Sequence, residues 1–316
     1  MILIGHRGCA YPGYNQNTIR AFEKVTQEGV PGIEFDVQLC GDGQLVVVHN
    51  LDLEEVSNGK GKVSSTDSIL LKTLYAGDPA RGKDRIPFLA EVLEFFASLD
   101  PQIRPFMYLE LKGDGTGKPV GEMVEQFVAD EKLLPSNVLV SSYNWQELVN
   151  IRKIIPTLKI ALLDGAIRRT VLLKKGGIIA KSYFEQIFAF GSEQYMIPRF
   201  ATSAENLALL NKECPDPQLR KIFADEIATC LSGGYYNDEL LDTACKMNAT
   251  SVNLWYRTVT QEFIDKAHSR GLAALVYTVN NPDELQALAL MGVDGIFTDY
   301  YSESASLLAG LSNPNS

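Results

Sequence analysis

Short β-rich runs alternate with amphipathic stretches along this chain, and that alternation constrains the fold more than any other feature. The β-rich runs are Ile2–Gly5, Gly32–Gln38, Leu45–His49, Pro105–Lys112, Asn137–Ser142, Leu158–Leu163, Thr250–Leu254, Leu272–Val279 and Gly295–Thr298. Helical periodicity marks Thr18–Glu28, Leu89–Phe96, Gly121–Glu131, Asn144–Ile155, Thr260–Arg270 and Pro282–Leu290. A β/α alternation of this kind predicts a parallel sheet with helices outside it. Asn17-Thr18 and Thr260 read as helix starts, and Gly29 and Gly271 as helix stops.

One pair of runs departs from the alternation. Asp42-Gly43 lies between two β-rich segments and predicts a two-residue hairpin turn. That register sets Asp36 opposite His49 and Glu34 opposite Leu51. Folding the hairpin into one ladder leaves eight main strands, the number in a (β/α)8 TIM barrel of roughly 250 residues. The 316-residue chain exceeds that size, and the surplus falls in two places. One is a small, polar, turn-rich insertion at about 51–87, after the hairpin of the second strand. The other is a long inserted segment at about 165–248, in the second half. Both are expected on a single catalytic domain spanning 1–311, followed by a polar tail at 312–316.

Composition excludes some function classes. Lys plus Arg number 29 against 39 Asp plus Glu, a formal charge of −10, which argues against nucleic acid or an anionic membrane as the main partner. The five cysteines form no CxxC pair, as expected of reduced thiols in a cytoplasmic protein. Strand-like sequence begins at Ile2 and no apolar run reaches the length of a membrane span, so neither a leader nor a transmembrane segment is expected.

The candidate chemistry gathers at strand ends. Glu34 and Asp36 share one face of an apolar strand, where two buried carboxylates are costly without a cation. Glu110 and Lys112 share a face near the end of another strand, and barrel active sites are built at such C-terminal ends. Glu34, Asp36 and Glu110 form an all-oxygen set suited to one divalent cation, Mg²⁺ or Ca²⁺. Lys112 offers a point charge, and Arg7 a guanidinium fork, for phosphate oxygens; a plain ion pair of Arg7 with Asp299 is the structural alternative. His6 and His49 are the acid/base candidates. His268, near a helix C-terminus, is read as structural.

Together these residues resemble the glycerophosphodiester phosphodiesterase family. The matching motifs are HRG at 6–8, NT at 17–18 with AF at 21–22, and GIEFDVQLCGDGQLVVVHN at 32–50. They continue through GKGKV at 59–63, IPFLAEVL at 86–93, LELK at 109–112, SSY at 141–143 and YTVNNPDELQALALMGVDGIFTDY at 277–300. The resemblance implies a phosphodiesterase-type TIM barrel in which Glu34, Asp36 and Glu110 hold the metal, His6 and His49 are catalytic, and Arg7 and Lys112 hold phosphate. It further implies that Trp255 shapes the substrate site and that Asp299 orients Arg7. The implied activity releases glycerol 3-phosphate and an alcohol from a small-molecule phosphodiester, with the glycerol's own neighbouring hydroxyl as the first nucleophile.

Three positions depart from the family pattern: Gln16 where Glu is usual, Asn50 where Asp follows the histidine, and Tyr301 where Pro follows TDY. Two alternatives stay open at this level. One keeps the chemistry but acts on lysophospholipids or sugar phosphodiesters, motivated by the apolar stretch GGIIAKSYFEQIFAF at 176–190. The other is a barrel that binds a phosphorylated ligand without turning it over.

Overall fold

The computed structural model describes residues 1–164 and 238–312. Its strands are β1 (Ile2–Gly5), β2 (Gly32–Leu39), β3 (Leu45–Val47), β4 (Phe106–Leu111), β5 (Val138–Ser142), β6 (Lys159–Asp164), β7 (Ser251–Trp255), β8 (Ala273–Tyr277) and β9 (Gly295–Thr298). The described α-helices are α1 (Ile19–Gln27), α2 (Ser68–Leu71), α3 (Leu89–Ser98), α4 (Gly117–Ala129), α5 (Trp145–Arg152), α6 (Asp238–Lys246), α7 (Gln261–Ser269), α8 (Pro282–Met291) and α9 (Tyr301–Ser312). Side chains of Thr18, Asn144, Thr260 and Asn281 accept backbone N–H groups at the starts of α1, α5, α7 and α8. Each such cap satisfies amide donors that the first turn leaves unpaired.

Eight strands run parallel in the order β1-β9-β8-β7-β6-β5-β4-β2, and β1 pairs with β2 to close the ring. The result is the expected TIM barrel. Alternation along each strand makes two apolar layers. Ile33, Phe35 and Val37 of β2 face the helices, in the large core between sheet and helix ring. Ile4, Tyr108, Ala161, Leu275 and Phe297 fill the barrel's interior. Strand β3 runs antiparallel to Val37–Leu39, beyond the point where β1 leaves β2.

The hairpin register differs from expectation by one residue. Leu39 pairs with Leu45, and Gly43 with φ +80° closes a three-residue loop, Gly41-Asp42-Gly43. A type I turn followed by a left-handed glycine is the next commonest hairpin after the two-residue loop. Asp36 therefore meets Val48, not His49, through Val48 N–H donating to the Asp36 carbonyl at 3.0 Å.

The segment 51–87 carries three short helical turns, isolated β-bridges and an apolar cluster of its own, with Leu53, Val63, Leu71, Leu74 and Ile86 packed on Val46, Val48 and Phe88. Of the long segment expected at 165–248, residues 165–237 lie outside the described residues, and so do 313–316 of the tail. Residues 238–246 form α6, whose Leu240, Leu241 and Ala244 join the main core. His268 Nε2 meets Asp294 at 2.8 Å just before β9, at the opposite end of that strand from Asp299, as a structural role requires.

Candidate active site

At the C-terminal end of β1 the chain turns sharply. Arg7, Gly8 and Cys9 all have positive φ (53°, 77° and 69°), a conformation costly for side-chain-bearing residues. A Cβ on Gly8 would lie 2.7 Å from the Phe22 ring, so only glycine fits there. The turn is pinned from below: Arg7 N–H donates to Glu34 at 3.0 Å, and Asn17 N–H donates to the Arg7 carbonyl at 2.9 Å. Asn17 also grips Asp36, donating to its carboxylate at 2.9 Å and accepting its backbone N–H.

Glu34, Asp36 and Glu110 each present an oxygen to one spot, these atoms lying within 4.8 Å of one another. Two cations divide the negative charge. Lys112 Nζ lies 2.7 Å from Glu110 and 3.1 Å from Asp36, and Arg7 Nε lies 3.2 Å from Asp36. Burial alone would raise the Asp36 carboxyl, but Lys112, His49 and Arg7 hold it below the ordinary carboxylate range. Glu34 goes the other way. Burial, then the neighbouring Asp36 and Glu110, push it well above. Its Oε1 is buried and has no hydrogen-bond partner among the described residues.

The two histidines have unlike surroundings. His6 Nδ1 lies 2.8 Å from Asp299, and its Nε2 faces Glu34 at 4.0 Å. Asp299 is itself filled: Gln16 donates to the same oxygen at 2.7 Å and Asn280 to the other at 2.6 Å. The resemblance implied that Asp299 orients Arg7, but the hydrogen bond goes to His6. Asp299 acts on Arg7 only through its charge. Burial would raise Asp299, yet the His6 contact and the Asn280 hydrogen bond pull it below the usual carboxylate range.

His49 reaches the site from the segment past β3. The buried Gln38 amide donates to the carbonyls of Val48, His49 and Asn50 at 2.9, 2.9 and 3.0 Å, fixing that segment's path. His49 Nδ1 bonds the Asn50 side-chain oxygen, and the Asn50 amide donates to Glu55. Burial, Lys112 and Arg7 together lower its pKa well below the ordinary histidine value.

Eight of the nine expected site residues thus converge: His6, Arg7, Glu34, Asp36, His49, Glu110, Lys112 and Asp299. Trp255, the last residue of β7, pairs in register with Tyr277 of β8 at the rim, and its ring packs edge-on against Tyr256. The barrel-mouth cavity is instead walled by Tyr143, Tyr277 and Asn253 beside His6, Arg7 and Glu110. The sequence reading gave those three wall residues no role. Their signal was position: Tyr143 follows β5, Tyr277 ends β8, and Asn253 lies mid-strand on β7.

Similarity to known proteins follows this geometry. The chain is 27% identical over 311 residues to a glycerophosphodiester phosphodiesterase of Bacillus altitudinis, covering 94% of each. Among solved structures it resembles a phosphodiesterase of Oleispira antarctica, solved in complex with the product sn-glycerol-3-phosphate (TM-score 0.67, 19% identity, 98% of this chain and 97% of that one). A glycerophosphodiester phosphodiesterase of Parabacteroides distasonis matches with a TM-score of 0.64 at 19% identity, covering 98% of both chains. Identities this low between structures establish the shared fold. The model of the glycerophosphoryl diester phosphodiesterase family matches residues 6–175 and 219–303, and the chain belongs to that family.

Proposed function

We propose that this enzyme hydrolyses glycerophosphodiesters to glycerol 3-phosphate and an alcohol, with a divalent cation and two histidines. One observation carries the reading: three carboxylates, two cations and two histidines meet at one end of a barrel, where His6, Arg7, Glu34 and Glu110 line the cavity in its mouth. The donor set fits a hard cation. Three carboxylates lie close enough to share an ion, and Glu34 Oε1 is buried with no hydrogen-bond partner among the described residues. When bound, Mg²⁺ or Ca²⁺ would neutralise charge on a phosphoryl oxygen.

The protein's own groups do the rest. Arg7 and Lys112 offset the substrate's charge and hold the phosphate in place. Asp299 accepts from His6 Nδ1–H, which leaves Nε2 bare to take the proton of the attacking hydroxyl. His49 stays neutral beside Arg7 and Lys112 until the phosphodiester's negative charge offsets both. It then takes up a proton from solvent and gives it to the departing alkoxide as the P–O bond breaks. Water next opens the cyclic phosphate, passing its proton to His49 while His6 returns its proton to the freed glycerol oxygen. One water is consumed over the cycle, and both histidines return to their starting state.

The relative solved with sn-glycerol-3-phosphate supports this substrate class. The lysophospholipid alternative rested on a stretch outside the described residues. We place the enzyme in the cytoplasm, from its unpatterned cysteines; no described helix is long and apolar enough to cross a membrane. The test is release of glycerol 3-phosphate from glycerophosphodiesters with Mg²⁺ or Ca²⁺. His6→Ala and His49→Ala should each lower kcat by about 10²–10⁴. Wild-type rates in both variants, or release insensitive to chelation, would overturn the reading.

A further inference from the structure

Two cavities open from the phosphate-binding guanidinium, and Arg7 is the one residue common to both walls among the described residues. The first, about 100 Å³, lies in the barrel mouth and carries His6. The second, about 340 Å³, lies between the turn after β1 and the 51–87 insertion, and carries His49. A phosphodiester has two ester arms, and displacement at phosphorus sets the attacking and leaving oxygens on opposite sides. A phosphate seated on Arg7 therefore sends one arm into each cavity. The barrel cavity is small and fits a three-carbon glycerol unit. The larger cavity, on the His49 side, is left for the alcohol that departs.

We infer that the cavity between the HRG turn and the insertion is the leaving-alcohol subsite, and that it selects an uncharged polyol. This rests on the hydrolysis proposed above. The wall chemistry carries the choice of ligand. Gln16, Asn50, Glu55, Asp78 and Arg81 present amide, carboxylate and guanidinium groups, so donors and acceptors are interspersed. Opposite charges occur together: Arg7 and Arg81 are accompanied by Glu55, Asp78 and Asp299. No Phe, Tyr or Trp lines this cavity among the described residues. A quaternary ammonium is recognised by aromatic faces, and an acyl chain by a continuous apolar wall. Neighbouring hydroxyls, each both donor and acceptor, match the wall that is present.

The experiment compares kcat/KM for three diesters of glycerol 3-phosphate, with methanol, glycerol or choline as the leaving alcohol. The wild type should favour the glycerol diester over the choline diester by about tenfold. Val56, half-buried on the insertion, lines the cavity, and Val56→Trp fills it. That change should lower the glycerol-to-methyl rate ratio by about tenfold. Arg81→Ala, at an exposed position where folding is not at risk, should lower the same ratio by a comparable factor. An unchanged ratio in both variants, or a wild type that favours choline, overturns the subsite. Failure of the wild type to cleave any of the three diesters overturns the hydrolytic reading itself, a different and separable result.

Discussion

At the residue scale, the site depends on hydrogen bonds that hold each imidazole in one orientation. Asp299 is the clearest case, because His6, Gln16 and Asn280 all converge on it. Asp299→Asn should lower kcat by about 10² or more through loss of the tautomer and orientation of His6. KM should change less than kcat, since Asp299 hydrogen-bonds His6 but reaches Arg7 only through its charge, and steady-state kinetics separate the two effects. Cysteines give a second residue-scale test. Burial pushes the Cys9 thiol up to about 12, and burial together with Asp42 pushes Cys40 up to about 11. Both remain protonated at pH 8, and the thiolate is the reactive form. Iodoacetamide at pH 8 should spare Cys9 and Cys40 in the folded protein and modify exposed Cys245. Peptide mass mapping before and after unfolding in urea checks this.

At the scale of elements, one side chain often substitutes for a missing ladder. Gln38 binds three successive carbonyls after β3 ends, so the position of His49 depends on a residue with no catalytic chemistry. Gln38→Leu should leave buried carbonyls unpaired, cost about 1–3 kcal/mol in urea unfolding, and lower kcat more than it raises KM. Arg152 does similar work at the other end of the barrel. Its guanidinium donates to the carbonyls of Leu158, Met247 and Asn248, tying the end of α5 to β6 and α6. Arg152→Ala should cost about 1–3 kcal/mol without changing kcat, measured on the same unfolding curves and assays.

These elements also show what the sequence could reveal. Strand positions were legible to within about two residues, because side-chain alternation is local, whereas α4 begins at Gly117, before the expected Gly121, and α6 and α9 were not read as helices. The hairpin register was not, since Gly41 joins the loop and a one-residue slip reverses every face. The partner of Asp299 was also illegible: His6, Gln16 and Asn280 are far apart along the chain, and no spacing rule connects them. Glu34, Asp36, Glu110 and Lys112 stood out because charge on the inner face of an apolar strand needs a reason to be there.

At the scale of the whole molecule, metal binding should register as stability. Any ion that binds only the folded state stabilises it, by about 2.7 kcal/mol at a hundredfold excess over Kd. Mg²⁺ or Ca²⁺ should therefore raise Tm by several degrees, and Glu34→Gln should remove most of that rise, as read by scanning calorimetry. A larger consequence follows from the insertion's separate apolar cluster. Leu53, Val63, Leu71 and Leu74 pack among themselves and against Val46, Val48 and Phe88, apart from the barrel's main core. The segment is tied to the rest of the chain where Val46 bridges Phe88, where Asn15 bonds Asp78, where Arg20 pairs with Asp84 and where Ser68 donates to Asp42. On the subsite proposed above, changes within this cluster would retune the released alcohol while the carboxylates stay on the barrel's own strands, Glu34 and Asp36 on β2 and Glu110 on β4.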